Sequence, residues 1–198
     1  MFFIFESFKL FKDFLQPAQC DEKIQKRENY LLKQELPMAI AMVVAQRSKD
    51  PHTQVGACIV DDNNHILGYG YNGHPSGANN DDQYSWDKKG KHKFVCHAER
   101  NAIDFRTASV KGATLFVTLY PCSECAKTIL QNEIKRVVYL DKKDSDNIKL
   151  TDSTFMLENG LPEKPIQFWD YLQQNVEIKK TRRGFEIQNL NKIFMTKV

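Results

Sequence analysis

Two short segments carry residues that can do chemistry together: Cys96-His97-Ala98-Glu99 and Pro121-Cys122-Ser123-Glu124-Cys125. Two cysteines three apart at the start of a helix can point at one ion. A helix N-terminus favours negative charge, so it stabilises their thiolates. His97, at the start of a second helix, supplies a third ligand. One His and two Cys leave the fourth tetrahedral position of a zinc ion open, which a catalytic zinc needs and a closed structural site lacks. Glu99 stands two residues from His97. A carboxylate there can take a proton from a zinc-bound water and pass it on, leaving a zinc-bound hydroxide as nucleophile. A structural knuckle is the plainer reading of the cysteines. The H-x-E element, the proline before Cys122 and the three-ligand count argue against it.

The order H-x-E, then P-C-x-x-C, is that of zinc-dependent nucleobase deamination. In that chemistry hydroxide attacks C4 of a cytosine ring, the carboxylate protonates N3 and then the amino group, and ammonia leaves. The remaining candidates for metal ligands are weaker. Cys58 lies in an apolar strand and reads as a small core residue. Cys20 lies in a polar linker, and Cys96 points away from its neighbour His97. His52, His65, His74 and His92 are isolated in loops or turns. No Cys-x-x-Cys pair stands beside His74 or His92, so a second metal is not expected in that loop.

The elements that must position these residues follow from pattern. Residues 35–49 are helical, with Asp50-Pro51 as the stop. Residues 54–61 and 65–72 form a β-hairpin turned by Asp62, Asn63 and Asn64. Residues 73–92 are a long loop rich in Gly, Pro, Asn and Asp, a kind that is usually functional or disordered. A helix starts near His97, a strand spans 113–120, and Pro121 opens the helix of the Cys-x-x-Cys where proline is favoured. A strand over 137–140 follows, then short helices over 151–159 and 166–175 and a late strand over 176–182. Alternating strands and helices predict a mixed sheet flanked by helices.

These segments together resemble the deoxycytidylate (dCMP) deaminases of the cytidine deaminase superfamily. The resemblance runs through KRENYL (26–31), AQRSKDPHTQVGACIVD (45–61), LGYGYNGHPSG (67–77), VCHAERNAI (95–103), VKGATLFVTLYPCSECAKTI (110–129) and KDSD (143–146). It implies a three-layer α/β/α fold with a mixed five-stranded central sheet. It implies zinc on His97, Cys122 and Cys125, with Glu99 as proton shuttle and dCMP as substrate. Asn72 matches the family's sugar-contacting asparagine, and Ala98 and Asn101 match residues near the nucleotide. Family members of the eukaryotic type are homohexamers, activated by dCTP and inhibited by dTTP with magnesium. Gly70, Tyr71, Asn72 and Gly73 match the loop near that regulatory nucleotide. The phosphates of substrate or effector need cations, and Arg47 and Lys49 are the choices here, with Arg106 and the lysines 88, 89, 91 and 93 behind them. The chain departs from the family in a shorter loop between Trp86 and His97. Lys142 and Lys143 stand where a tyrosine and often a histidine are usual, and the stretch 161–184 is longer than the family's.

The bulk properties fit one compact unit. The chain has 198 residues, 41% of them hydrophobic and 27% charged, enough for a single core. The boundaries expected are an extension at 1–23, a deaminase domain at 24–184 and a tail at 185–198. A formal net charge of +3 suits a small anionic substrate and is too weak to argue for nucleic acid. The basic run 179–184 reads as a charged edge strand. Five cysteines, an odd number with two in Cys-x-x-Cys, indicate a reducing, cytoplasmic setting. Phe8, Phe11, Phe14 and Leu15 form an amphipathic stripe that charged residues keep from spanning a membrane. Two other readings stay open: a deaminase for cytidine, tRNA or single-stranded nucleic acid, and a catalytically silent regulatory subunit.

Overall fold

The computed structural model describes residues 30–78, 86–87, 91–142, 148–168 and 170–171. The Phe stripe, the boundaries near 23 and 184, the strand over 176–182, the run 179–184, and Lys88, Lys89 and Lys143 lie outside them. Two compact units divide the chain, residues 32–176 and residues 1–31 with 177–198. Apart from Tyr30 and Leu31, the described residues belong to the first.

Five strands form one mixed sheet in the order β2-β1-β3-β4-β5. β1 (Gly56–Val60) is antiparallel to both β2 (Ile66–Tyr71) and β3 (Thr114–Leu119). β3 is parallel to β4 (Arg136–Asp141), and β4 to β5 (Ile166–Gln167). All five residues of β1 are buried, as an interior strand covered on both faces requires. The hairpin turns where the sequence places it, with Asn64 at a φ of 62° and the Asp61 carboxylate accepting the Asn63 and His65 N–H groups.

Helices cover both faces of the sheet, giving three layers. On one face lies α1 (Leu36–Ala45), whose Met38 and Ala41 pack with Cys58, Val60, Phe116 and Val138. Contact there is close: a Cβ on Gly56 would sit 1.8 Å from the Ala41 carbonyl oxygen. After the single turn α2 (Lys91–Phe94), the other face carries α3 (Ala98–Asp104), α4 (Ser123–Gln131) and α5 (Ile148–Gly160). Ala98, Ala102, Ala126, Ile129 and Leu157 there meet Ile59, Leu115, Val117 and Val137.

Three boundaries differ from the sequence reading. α1 ends at Ala45, ahead of Asp50-Pro51, because the chain must turn so that Ser48 and Asp50 can bond the 50–55 loop and Asn72. Pro121 precedes the cap of α4, which is Cys122, so the proline lies outside the first turn. The segment read as helical from 166 begins as β5, where pairing of Ile166 and Gln167 with Val138 and Tyr139 overrides local helical pattern.

Candidate functional site

β2 and β3 each run antiparallel to β1, so they run in the same direction and end at the same sheet edge. α3 starts beyond one of these ends and α4 beyond the other. His97 caps α3 with extended backbone (φ −78°, ψ 158°), and Cys122 caps α4 in the same way (φ −78°, ψ 173°). The two helix N-termini therefore present His97 and Cys122 to each other, with Cys125 one turn further along α4.

His97 Nδ1 lies 3.2 Å from Cys125 Sγ and 3.3 Å from Cys122 Sγ. The three donor atoms are all within 4.8 Å of one another, and no fourth protein donor joins them among the described residues. Tetrahedral zinc, with bonds of about 2.0 Å to nitrogen and about 2.3 Å to sulfur, separates such donors by about 3.5 Å. The set fits zinc in kind and spacing, and three donors leave one position for a reactant.

The charges suit a cation. The Cys125 thiol, then His97, hydrogen-bonds the Cys122 sulfur and holds the Cys122 thiol down to about 3. Cys125 is pushed up by its hydrogen bond with Cys122 and by burial. The Cys122 hydrogen bond also raises His97; burial and the Lys91 charge oppose this, while the Glu99 and Cys122 charges reinforce it. Glu99, in the first turn of α3, is only 4% exposed, and that burial pushes its carboxyl up. Its carboxyl lies within hydrogen-bonding reach of Cys125 and close enough to His97 and Cys122 to feel their charges. A buried carboxylate so placed can take and return a proton. Cys58 is buried in β1 with its thiol raised to about 12, an inert core residue.

The other sequence candidates divide by what they touch. Asn72 is buried at the end of β2. Its Nδ2 donates to the Thr53 carbonyl at 2.9 Å and to Asp50 Oδ2 at 3.3 Å, and its Oδ1 accepts the Val55 N–H at 2.8 Å. Both N–H bonds are engaged, and among the described residues Oδ1 accepts only the Val55 N–H. Asn101 bonds the Tyr71 carbonyl at 2.8 Å, pinning α3 to β2. Ala98 is fully buried, so its methyl belongs to the core. Gly73 pairs its backbone with Cys96, directly before His97. Gly70, at the end of β2, is packed by its neighbours. It is enclosed against α3, where a Cβ would meet Ala102 N at 2.4 Å, and this packing accounts for the glycine. Arg47 and Lys49 are exposed beyond the end of α1. His74 lies edge-on to Trp86 at 4.3 Å and joins no metal group among the described residues.

Sequence reasoning missed three contacts. Lys91 forms a buried ion pair with Asp50. Ser153, fully buried on α5, donates to the Pro121 carbonyl at 2.5 Å, directly before Cys122. Lys142 places its ammonium 4.5 Å from the centre of the Tyr120 ring. Each joins segments far apart in the chain, and only the lysine run before His97 hinted at the first.

Comparison with known proteins agrees with this geometry. The deoxycytidylate deaminase of Pongo abelii is 45% identical over 141 residues, covering 68% of this chain and 79% of that protein. The Homo sapiens deoxycytidylate deaminase is 46% identical over 134 residues, covering 64% and 75%. Among solved structures, the dCMP deaminase of cyanophage S-TIM5 in complex with dCMP and dUMP matches with a TM-score of 0.56 at 31% identity, over 68% of this chain and 95% of that one. Residues 32–141 match the model of the cytidine and deoxycytidylate deaminase zinc-binding region, and the chain belongs to that family.

Proposed function

We propose that the protein hydrolyses dCMP to dUMP and ammonia in a zinc-dependent reaction. The observation that carries this is the trio His97, Cys122 and Cys125 on two facing helix N-termini, with buried Glu99 beside them. The deoxycytidylate deaminases among its relatives support the choice of dCMP.

His97, Cys122 and Cys125 would hold the zinc. When bound, zinc acts as a Lewis acid that makes a water nucleophilic near neutral pH. Glu99 takes a proton from the attacking water and delivers it to ring N3. It then carries the second proton to the amino group as the C4–N bond breaks. Burial keeps Glu99 basic enough for this exchange. Asn72 meets a sugar hydroxyl as an acceptor, since both its N–H bonds are used within the protein. Backbone at Ala98 and the Asn101 side chain border the base, and Arg47 supplies a cation for the phosphate. Lys49, Tyr71 and Gly73 border a regulatory nucleotide, dCTP or dTTP with Mg2+, in a homo-oligomer. Gly70, beside Tyr71, belongs to that set through its backbone. The four cysteines among the described residues are free, which accords with a cytoplasmic setting. No described helix is long and apolar enough to cross a membrane.

The test is ultraviolet detection of cytosine loss with ammonia release. The zinc-loaded protein is offered dCMP, dCTP, CMP, cytidine and a cytosine-containing single-stranded oligonucleotide, with and without dCTP as activator. Turnover of dCMP alone is expected, stimulated by dCTP. Turnover only of cytidine or the oligonucleotide overturns the substrate and keeps the chemistry. Zinc binding with no turnover of any of them points to a silent regulatory subunit.

A further inference from the structure

One buried ion pair has no part in the proton transfers above. Lys91 Nζ meets the Asp50 oxygens at 3.1 and 2.8 Å, and the two side chains are only 11% and 2% exposed. Such a pair recovers its desolvation cost only through firm geometry and further hydrogen bonds. Asp50 has them: Oδ1 accepts the N–H groups of His52 at 2.8 Å and Thr53 at 3.2 Å, and Oδ2 accepts from Asn72. Asn72 is bonded in turn to Thr53 and Val55, and its carbonyl accepts the Ser48 hydroxyl at 2.8 Å. Lys91 opens the turn α2, which leads through Val95 to Cys96, and Cys96 pairs with Gly73 beside Asn72. The ion pair thus closes a ring of three segments: the 48–55 loop, the end of β2, and the stretch entering His97.

We infer that Asp50 and Lys91 are a positioning pair that orients the Asn72 amide and holds the stretch before His97 against it, thereby setting affinity for the substrate. Neither residue touches the reacting atoms. The inference rests on dCMP as substrate and on Asn72 as a sugar contact. Without Lys91, Asn72 Nδ2 faces a carboxylate that has lost its counter-charge, and the ring opens at its only link to α2 among these bonds.

The test compares Lys91→Met, Lys91→Arg and the double variant Asp50→Asn/Lys91→Met in the full-length, zinc-loaded enzyme. Steady-state kinetics on dCMP, zinc content and unfolding temperature are measured for each. Lys91→Met is expected to raise KM about tenfold or more while kcat stays within about threefold and zinc is retained. Lys91→Arg is expected to bring KM back to within about threefold of the parent. The double variant contains no unpaired buried charge, so it regains folding stability but keeps the raised KM. It carries the test alone if Lys91→Met does not fold. A KM that returns to normal with stability in the double variant overturns the inference. So does a Lys91→Met protein that melts earlier with unchanged KM. Failure of the parent enzyme to turn over dCMP sinks the underlying substrate reading, and is visible before any variant is compared.

Discussion

A carboxylate enclosed beside two sulfurs and an imidazole holds its proton more tightly than one in water, because burial penalises the charged form. Glu99 is in that position, which suits it to the proton transfers proposed for it. Glu99→Gln keeps the size and removes the exchangeable proton. It is expected to lower kcat by about 10²–10⁴-fold while zinc remains bound, as read by turnover and metal analysis. Asp50 shows the opposite balance. Burial raises its carboxyl, but the Lys91 ammonium and the His52 and Thr53 N–H groups outweigh that and hold it below the usual aspartate range. A folded-state value below the unfolded one gives stability that is present at neutral pH and lost as pH falls below about 4 through the folded value. Asp50→Asn is therefore expected to cost roughly 1–3 kcal/mol at pH 7, and the gap to the parent should close on acidification in denaturant titrations. A gap that persists at low pH would mean the charge contributes nothing.

At the scale of elements, the site depends on how closely helices approach the sheet. Gly70 lets α3 lie on β2, since a methyl there would sit 2.5 Å from the Ala98 carbonyl oxygen. Backbone on both sides cannot yield as a side chain can, so Gly70→Ala is expected to cost about 1–3 kcal/mol in thermal unfolding. The α4 cap is steadied from α5 by the Ser153 hydroxyl on the Pro121 carbonyl. Groups that orient a metal-binding turn typically alter metal affinity about 10–100-fold when removed. Ser153→Ala is expected to weaken zinc binding at the low end of that range, as measured by competition with a chelator. Unchanged affinity would reduce Ser153 to a packing role. These two contacts also mark the limit of sequence reasoning. The starts of α3 and α4 were legible because H-x-E and P-C-x-x-C set chemistry at helix caps. The close approach at Gly70 is not legible in the sequence, because a glycine in Gly-Tyr-Asn-Gly looks the same whether a ligand or a helix lies against it. The partners that occupy the donors of Asn72 are hidden in the same way: Asp50 and Thr53 lie far upstream and meet it only in the fold.

At the scale of the whole unit, strand direction assembles the site. β1 lies antiparallel between β2 and β3, so Tyr71 pairs with Gly56 while the Thr118 hydroxyl accepts the Gly56 N–H at 3.1 Å. The chain therefore leaves β2 and β3 at one edge, and the following helices point their N-termini at one space. Open α/β sheets place ligands at such an edge. The alternation of elements foretold the mixed sheet, but β5 was hidden because two residues paired with β4 carry too little pattern of their own. Held by His97, Cys122 and Cys125, zinc would cross-link α3 and α4, and so would contribute to stability as well as to chemistry. A ligand bound only by the folded state stabilises it by about 4 kcal/mol at 1,000 times its Kd. For chains of 150–250 residues each kcal/mol moves Tm by roughly 2–4 °C, so stripping zinc is expected to lower Tm by roughly 10 °C. Turnover should vanish with the metal, and both should return when zinc is restored. The same treatment of Cys125→Ser, which breaks the donor set, should leave Tm nearly unmoved by chelator. If chelation abolishes turnover of the parent but leaves its Tm unchanged, the two helix N-termini are held together by the surrounding core alone, and zinc serves only the reaction.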